Sequence, residues 1–199
     1  MNNALYDVET VTALTGVAEY LTECVDVERF LGYCRECGNF DSRWACPSFD
    51  FDPLTVWEKY ERVWFAGRIL RPRKGCELPR LLEGLRAEKE RLLAGLLQME
   101  KRLSGSFALS AGSCYLCPEG CSRPLGEPCR QPERMRYSIE ALGGDVAKTG
   151  EHYLKTPLVW IKQGQLPAYL TLVGGLLLKD GNTASKEELD RLFNEQIRG

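Results

Sequence analysis

The sequence predicts an α+β or α/β domain with a small mixed sheet, a long covering helix and cysteine-rich loops that bind metal. Three observations lead to this prediction. Strand-like segments stand on both sides of residues 78–103, those residues repeat leucine at helical spacing, and most cysteines lie in two short stretches, 34–46 and 114–129. We expect residues 1–199 to form a single domain, because a domain usually spans roughly 100 to 200 residues.

The composition is that of an ordinary globular chain, with 44% hydrophobic and 27% charged residues. Its formal net charge of −2 gives no broad positive field that would indicate a nucleic acid or an anionic membrane as a partner. The N-terminal residues lack the features of a secretory signal, and the longest apolar stretch, 166–178, is too short to span a membrane. We therefore expect a cytoplasmic protein with no nucleic acid or membrane partner.

The first elements are predicted from the spacing of apolar residues. Valines and leucines at helical intervals predict an amphipathic helix over residues 11–21. A short helix is predicted over 54–60. β-Branched and aromatic residues then predict a strand over 62–70, which Pro72 ends.

Residues 78–103 carry the clearest pattern, a single apolar stripe with the helical period. The stripe consists of Leu78, Leu81, Leu82, Leu85, Leu92, Leu96, Met99 and Leu103. A second strand is predicted over 106–111. A strand, a helix and a strand in this order predict a βαβ crossover, with the two strands parallel and the helix on one face. The second cysteine group would then lie at the end of a strand.

The remaining chain alternates short elements. Helices are predicted over 133–142 and 145–153, the second capped by its first residue, an aspartate. Strands over 158–161 and 169–178 are expected to pair with each other. A last helix begins at residue 185, where the pattern S-x-x-E forms a capping box.

Nine cysteines are many for a chain in a reducing compartment, where clustered thiols are more often metal ligands or catalytic groups than disulfides. The odd number also argues against a closed set of disulfides. The second group has the spacing C-x2-C-x3-C-x7-C and offers four thiolates, enough for a structural zinc ion or an iron–sulfur cubane. Its members are Cys114, Cys117, Cys121 and Cys129.

The first group has the spacing C-x2-C-x8-C-P and offers only three ligands, Cys34, Cys37 and Cys46. If Cys24 or Cys76 supplied the fourth, the site would be closed and either structural or electron-carrying. If water, sulfide, a substrate or another side chain stood there, one iron would be free to act as a Lewis acid. The sequence leaves both alternatives open.

The ligand set favours iron–sulfur over zinc, with zinc as the alternative. Zinc sites often mix cysteine with histidine, whereas the single histidine here, His152, is far in sequence from both groups. The C-P ending also matches that of bacterial ferredoxin motifs. We predict two [4Fe–4S] clusters, one closed and one open to a small-molecule substrate, acting in redox or cluster-dependent catalysis with a redox partner protein. A zinc-stabilised interaction module and a simple electron carrier are the alternatives.

Three blocks of sequence surround these cysteines: CRECGNFDSRWACP at 34–47, CYLC at 114–117, and CRQPERMRYSIEALGGDV at 129–146. Together they resemble a family of predicted metal-binding proteins defined by a domain of unknown function. The resemblance implies cysteine-bound metal of iron–sulfur type and no settled reaction. The chain departs from the family pattern at Ser48 and Tyr137, where the family has proline, so the loop geometry is expected to differ while the thiols are retained.

Several charged residues are further candidates. Four arginines lie in or beside the second group: Arg123, Arg130, Arg134 and Arg136. We predict that Arg130 and Arg136 contact the cofactor, because guanidinium groups stabilise a negatively charged cluster; surface ion pairing is the alternative. Glu140 and Asp145 are acid–base candidates, although carboxylates near helix ends usually cap or pair. A structural role is the simpler interpretation of His152.

Overall fold

The computed structural model describes residues 5–198. Residues 1–4, which belong to the N-terminal segment expected to lack a signal, and residue 199 lie outside this part of the chain. One sheet has the strand order β1-β2-β4-β3. The strands are β1 Tyr6–Gly16, β2 Arg62–Pro72, β3 Phe107–Leu109 and β4 Leu170–Leu178.

Helices surround this sheet. They are α1 Val17–Cys24, α2 Val27–Arg35, α3 Leu54–Trp57, α4 Leu78–Arg102, α5 Val146–Lys148 and α6 Lys186–Arg198. A π-helical turn, Thr149–Tyr153, continues α5, and 3-10 turns cover Arg123–Leu125 and Glu140–Leu142. The predicted α+β class with a long covering helix is confirmed.

The sheet differs from the expected mixed sheet because its three strand pairs are all antiparallel. β4 lies between β2 and β3, so these two strands run in the same direction without pairing with each other. α4 connects them and packs against β2, β3 and β4. The crossover prediction was therefore right about strand direction and helix position but wrong about adjacency, because a later strand occupies the place between them.

Each face of the sheet has its own apolar cluster, because alternate residues of β2 point in opposite directions. Val63 and Phe65 pack with α1 and with residues from the 139–154 segment. Trp64 and Ala66 pack against α4 and α6. β2 is buried on both sides and thus reads as a continuous apolar run.

One ion pair is buried within the second of these faces. Arg68 of β2 binds Glu88 of α4, and the two residues are 8% and 1% exposed. Arg68 Nη1 also donates to Thr10 Oγ1 of β1 at 2.6 Å. The pair thus connects the long helix to two strands at a position where both charges are removed from water.

Three sequence predictions were wrong. Residues 11–21 begin in β1 and become helical only at Val17, because the β-branched residues of that segment pair along β2. Residues 133–142 form turns and irregular chain that end in a 3-10 turn. The Arg136 side chain donates a hydrogen bond to Glu100 of α4. Residues 158–161 are not extended into a sheet, and β4 pairs with β2 and β3 instead.

The predicted starts of two helices, at Asp145 and at Ser185, are confirmed. The Ser185 amide donates to Glu188 Oε2 at 2.8 Å, and the Glu188 amide donates to Ser185 Oγ at 3.2 Å, which completes the capping box. Asp145 Oδ1 accepts from the Lys148 amide at 3.0 Å and caps α5. Asp145 therefore acts as a helix cap rather than as a free acid–base group.

Gly143 fixes the approach of the 139–146 segment to α2. Its φ of 83° ends the 3-10 turn, and a Cβ there would lie 2.8 Å from the Val27 Cα atom. Its carbonyl accepts from the Asp26 amide at 2.8 Å. This close contact brings the segment that contains Glu140 against the helix that ends in the first cysteine group.

Among residues 5–198, no helix has the length and apolarity needed to cross a membrane.

Candidate metal centres

The second cysteine group lies in the loop that follows the edge strand β3. Prolines and left-handed glycines keep this loop out of regular structure; Gly120 and Gly126 have φ of 94° and 68°. Its four cysteines, Cys114, Cys117, Cys121 and Cys129, line one small cavity. The structure thus brings all four predicted ligands of this group to a common space.

The first cysteine group begins in the last turn of α2 and continues through consecutive turns. The Cys37 amide donates to the Cys34 carbonyl at 3.0 Å, and the Cys46 amide donates to the Arg43 carbonyl at 3.0 Å. Cys37 is exposed, while Cys34 and Cys46 are partly buried. These consecutive turns thus hold the three thiols within one short stretch of chain.

Arg43 and Trp44, between the second and third cysteines of the first group, bind the second loop. Arg43 Nη1 donates to the Cys114 carbonyl at 2.8 Å, and its guanidinium stacks 4.7 Å from the Tyr115 ring centroid. Trp44 Nε1 donates to the Glu127 carbonyl at 3.1 Å and to Ser122 Oγ at 3.3 Å. The two loops therefore form one structure.

Arg123 makes the reciprocal contact from the second loop to the first. Its guanidinium donates to the carbonyls of Arg43 (2.9 Å), Cys46 (2.5 Å) and Ser48, and its Nη2 lies 2.8 Å from Asp41 Oδ1. Its side chain is 15% exposed. A planar fork with five N–H donors suits such a set of acceptors, which lysine would not satisfy.

The thiols of the two groups are electrostatic neighbours. Burial, together with the charges of Cys34, Cys37 and Cys114, raises the pKa of Cys46 to about 11. Burial is likewise the main reason that the pKa values of Cys34 and Cys114 are raised. Thiols that are partly buried and crowded in this way stay protonated unless a metal cation replaces their protons.

The two arginines predicted to contact a cofactor have different surroundings. Arg130 lines the cavity with the four cysteines, and its guanidinium pairs with Glu127 at 3.0 Å near the surface. Arg136 pairs with Glu100 of α4 and donates to the Met135 carbonyl. Arg130 is therefore placed beside the thiols, whereas Arg136 has its charge neutralised by the helix.

The two cysteines considered as a fourth ligand lie in other surroundings. Cys76 is buried in an apolar cluster with Tyr6, Leu70 and Leu81. Cys24 ends α1, and its sulfur lies within 4.8 Å of ligating atoms of Glu23 and His152. Neither position supports closure of the first group.

A cleft of about 520 Å³ lies beside these loops, between α4 and the sheet. Lys89, Glu140 and Thr171 line it. Glu140 Oε2 and Thr171 Oγ1 are buried and, among the described residues, without a hydrogen-bond partner. Such atoms are rare in folded proteins because each one costs the desolvation of a polar group.

Lys89 and Glu140 connect this cleft to the cysteines. Burial lowers the pKa of Lys89 to about 8, and the nearby charges of Glu140, Cys114 and Cys46 oppose that change. Lys89 Nζ donates to the Ser113 carbonyl and lies 4.4 Å from the Tyr115 ring centroid. Burial raises the pKa of Glu140, whose charge in turn acts on Cys34. Lys89 and Glu140, two residues that line the cleft, are therefore within electrostatic range of thiols from both cysteine groups.

Sequence reasoning missed Lys89 and Thr171, although one signal for Lys89 is present. The apolar stripe of α4 is interrupted between Leu85 and Leu92, where its spacing passes through Glu88 and Lys89. Two charged residues in the buried face of a helix indicate a polar function or a buried pair. Glu88 forms the pair with Arg68, and Lys89 faces the cleft.

The donor atoms are suited to a soft metal centre. Four cysteines around one cavity, with no acidic oxygen among the residues that line it, match the ligation of zinc or of an iron–sulfur cluster and not that of magnesium or calcium. When bound, such a group supplies either structural cross-linking or electron transfer. The four cysteines would hold it, Trp44 lines the same cavity and would shield it on one side, and Arg43 and Arg123 fix the two loops to each other.

The comparisons with known proteins agree with this donor set. Neither curated proteins nor solved structures gave a match. A family model described as "Predicted metal-binding protein (DUF2284)" matches residues 21–178, which include both cysteine groups and the sheet strands β2, β3 and β4. The chain therefore belongs to this family of predicted metal-binding proteins.

Proposed function

We propose that this protein is an iron–sulfur protein with two cysteine-bound [4Fe–4S] clusters. Cys114, Cys117, Cys121 and Cys129 hold a closed cluster that relays electrons. Cys34, Cys37 and Cys46 hold a second cluster whose fourth iron is open to a small molecule. The protein acts in redox or cluster-dependent catalysis and receives electrons from a redox partner protein.

The observation that carries the proposal is the convergence of four thiols on one cavity beside three more. The donor set supports a cluster over single zinc ions. Zinc sites often mix cysteine with histidine, but both groups offer cysteines and the single histidine, His152, is far in sequence from them. The C-P ending of the first group also matches that of bacterial ferredoxin motifs.

Anaerobic purification followed by iron, zinc and sulfide analysis tests the proposal. We expect about eight iron and eight sulfide ions per chain, the content of two [4Fe–4S] clusters. The double variant Cys117→Ser/Cys121→Ser and the single variant Cys37→Ser should each lower both numbers to about four, because each leaves only two cysteines in a different group, whereas three can still hold a cubane.

The matched control is Cys76→Ser, which removes a buried thiol outside both groups and should retain the full iron content. A colourless protein that contains zinc and no sulfide would overturn the iron–sulfur proposal. Equal iron loss in all three variants would show that the metal does not depend on these two groups.

The cleft supports the small-molecule part of the proposal. It offers a cation at Lys89 and, among the described residues, two unpartnered polar atoms, Glu140 Oε2 and Thr171 Oγ1, and the charges of Lys89 and Glu140 act on thiols of both cysteine groups. Leu85, Leu158 and other apolar residues form its walls. A site with convergent polar groups on apolar walls is typical of small-molecule binding.

The electron paramagnetic resonance spectrum of the reduced protein reports on this open position. Cyanide, a small iron ligand, should change the signal of the cluster held by Cys34, Cys37 and Cys46. The change should disappear in Cys37→Ser and persist in the double variant Cys117→Ser/Cys121→Ser, since the second variant removes the closed cluster and leaves the open one intact. A spectrum that cyanide leaves unchanged in the unmodified protein would contradict an open iron.

A further inference from the structure

A third group of potential metal ligands, which contains none of the seven cysteines of the two loops, lies where the end of α1 meets the π-helical turn. Atoms of Glu23, Cys24 and His152 that can bind metal lie within 4.8 Å of one another. Glu23 and Cys24 end α1, and His152 lies in the π-helical turn that continues α5. Such π-helical turns are uncommon in proteins, and those that occur are often found at functional sites.

Several hydrogen bonds hold these two segments together. The Asp145 amide donates to the Cys24 carbonyl at 2.7 Å, and Tyr20 Oη and Thr149 Oγ1 are 2.7 Å apart. Lys148 Nζ donates to the Glu23 carbonyl at 3.2 Å. The backbones that carry the three ligands are therefore positioned by contacts that do not involve the ligand atoms.

A second shell is also present. The Tyr153 hydroxyl donates to Glu23 Oε2 at 2.8 Å and lies 3.3 Å from Glu19 Oε1. Hydrogen bonds of this kind orient the carboxylates that bind metal ions. Cys24 is 2% exposed, while Glu23 and His152 are exposed, so the group has a buried sulfur at its base and an open side toward solvent.

We propose that Glu23, Cys24 and His152 form a separate binding site for a divalent metal ion of the zinc type. One sulfur, one nitrogen and one oxygen are the ligands that zinc prefers, and three protein ligands leave a fourth position for water. The thiolate and the carboxylate balance the two positive charges of the ion. The positive charge of Lys148, which acts on Cys24, opposes the ion, while Glu19, which lies 3.3 Å from the Tyr153 hydroxyl, adds negative charge nearby.

Equilibrium dialysis of the full chain against zinc, with the metal of the cysteine loops in place, tests this site. We expect the wild type to bind about one zinc ion more per chain than His152→Ala or Cys24→Ser. Glu23→Gln should retain the site with at least about 10-fold weaker binding, and Tyr153→Phe should weaken it by about 10-fold through the lost orientation of Glu23.

Cys76→Ser is the matched control, because it removes another isolated buried thiol and should bind zinc as the wild type does. Added zinc should raise the melting temperature of the wild type and of Cys76→Ser but not of His152→Ala, whose exposed side chain leaves folding intact. Equal zinc binding by the wild type and His152→Ala overturns the proposal. The iron and sulfide content of His152→Ala should equal that of the wild type, so this test is independent of the cysteine loops.

Discussion

Arg123→Ala should cost the protein the metal of its first cysteine group, lowering the iron content from about eight to about four ions per chain. Arg123 alone donates to three carbonyls of the first loop and pairs with Asp41. A hydrogen bond from a charged donor contributes about 1.5–3 kcal/mol, so the loss of this set removes the main connection between the loops. Iron and sulfide analysis of anaerobically purified protein measures the effect.

Arg123→Lys should lose the same metal, because a lysine ammonium keeps the charge but cannot reach all four acceptors. Arg134→Ala is the matched control: it removes an exposed guanidinium that lies beside the same cysteine group but does not line its cavity. Its iron content should remain that of the wild type. Full iron content in Arg123→Ala would contradict the structural role assigned to this side chain.

Glu88→Ala should lower the free energy of unfolding by about 3–5 kcal/mol, as expected when one partner of a buried ion pair is removed. The change leaves the Arg68 guanidinium between α4 and the sheet with Thr10 as a remaining partner and little contact with water. Denaturant unfolding followed by circular dichroism measures the loss.

Two further variants separate the charge from the loss of packing. Glu83→Ala, on the same helix, removes an exposed partner of Arg80 and should leave stability unchanged within error. The double variant Arg68→Met with Glu88→Leu replaces the pair by apolar side chains and should recover most of the loss. If Glu88→Ala is as stable as Glu83→Ala, the pair is not the buried connection described above.

The elements that the sequence predicted well are those with one dominant physical signal. The leucine stripe of residues 78–103 and the continuous apolar run of β2 each have only one favourable arrangement, in a helix and in a buried strand. The capping box at Ser185 is likewise a local interaction. These predictions needed no knowledge of the rest of the chain.

The failures come from tertiary contacts. The apolar spacing of residues 11–21 fits a helix, but eleven residues of β1 pair with β2 and the chain turns helical only afterwards. Residues 133–142 have helix-forming composition, yet Arg136 reaches Glu100, and the Tyr137 ring packs edge-on against Phe49 and at a tilt against Phe51. Long-range partners outweigh local propensity here.

For the candidate site, the spacing of the cysteines indicated the ligands but not how the two groups meet. Arg43, Trp44 and Arg123 stood within or beside the motifs, and their exchange of hydrogen bonds depends on the folded positions of both loops. Lys89 and Thr171 come from α4 and β4, far from either motif in sequence. A cleft built by distant elements has no local signal.

Between β3 and α5 the regular structure consists of two short 3-10 turns, whereas a sheet and longer helices form the rest of the fold. This difference matters when metal is scarce. The sheet and residues 139–146 contribute to apolar clusters that need no metal, whereas residues 114–129 contribute no side chain to these clusters and would gain most order from a metal bound by their cysteines. A newly made chain can thus fold its sheet and apolar clusters first and bind metal afterwards. In that interval the segment is the part that a protease reaches most easily.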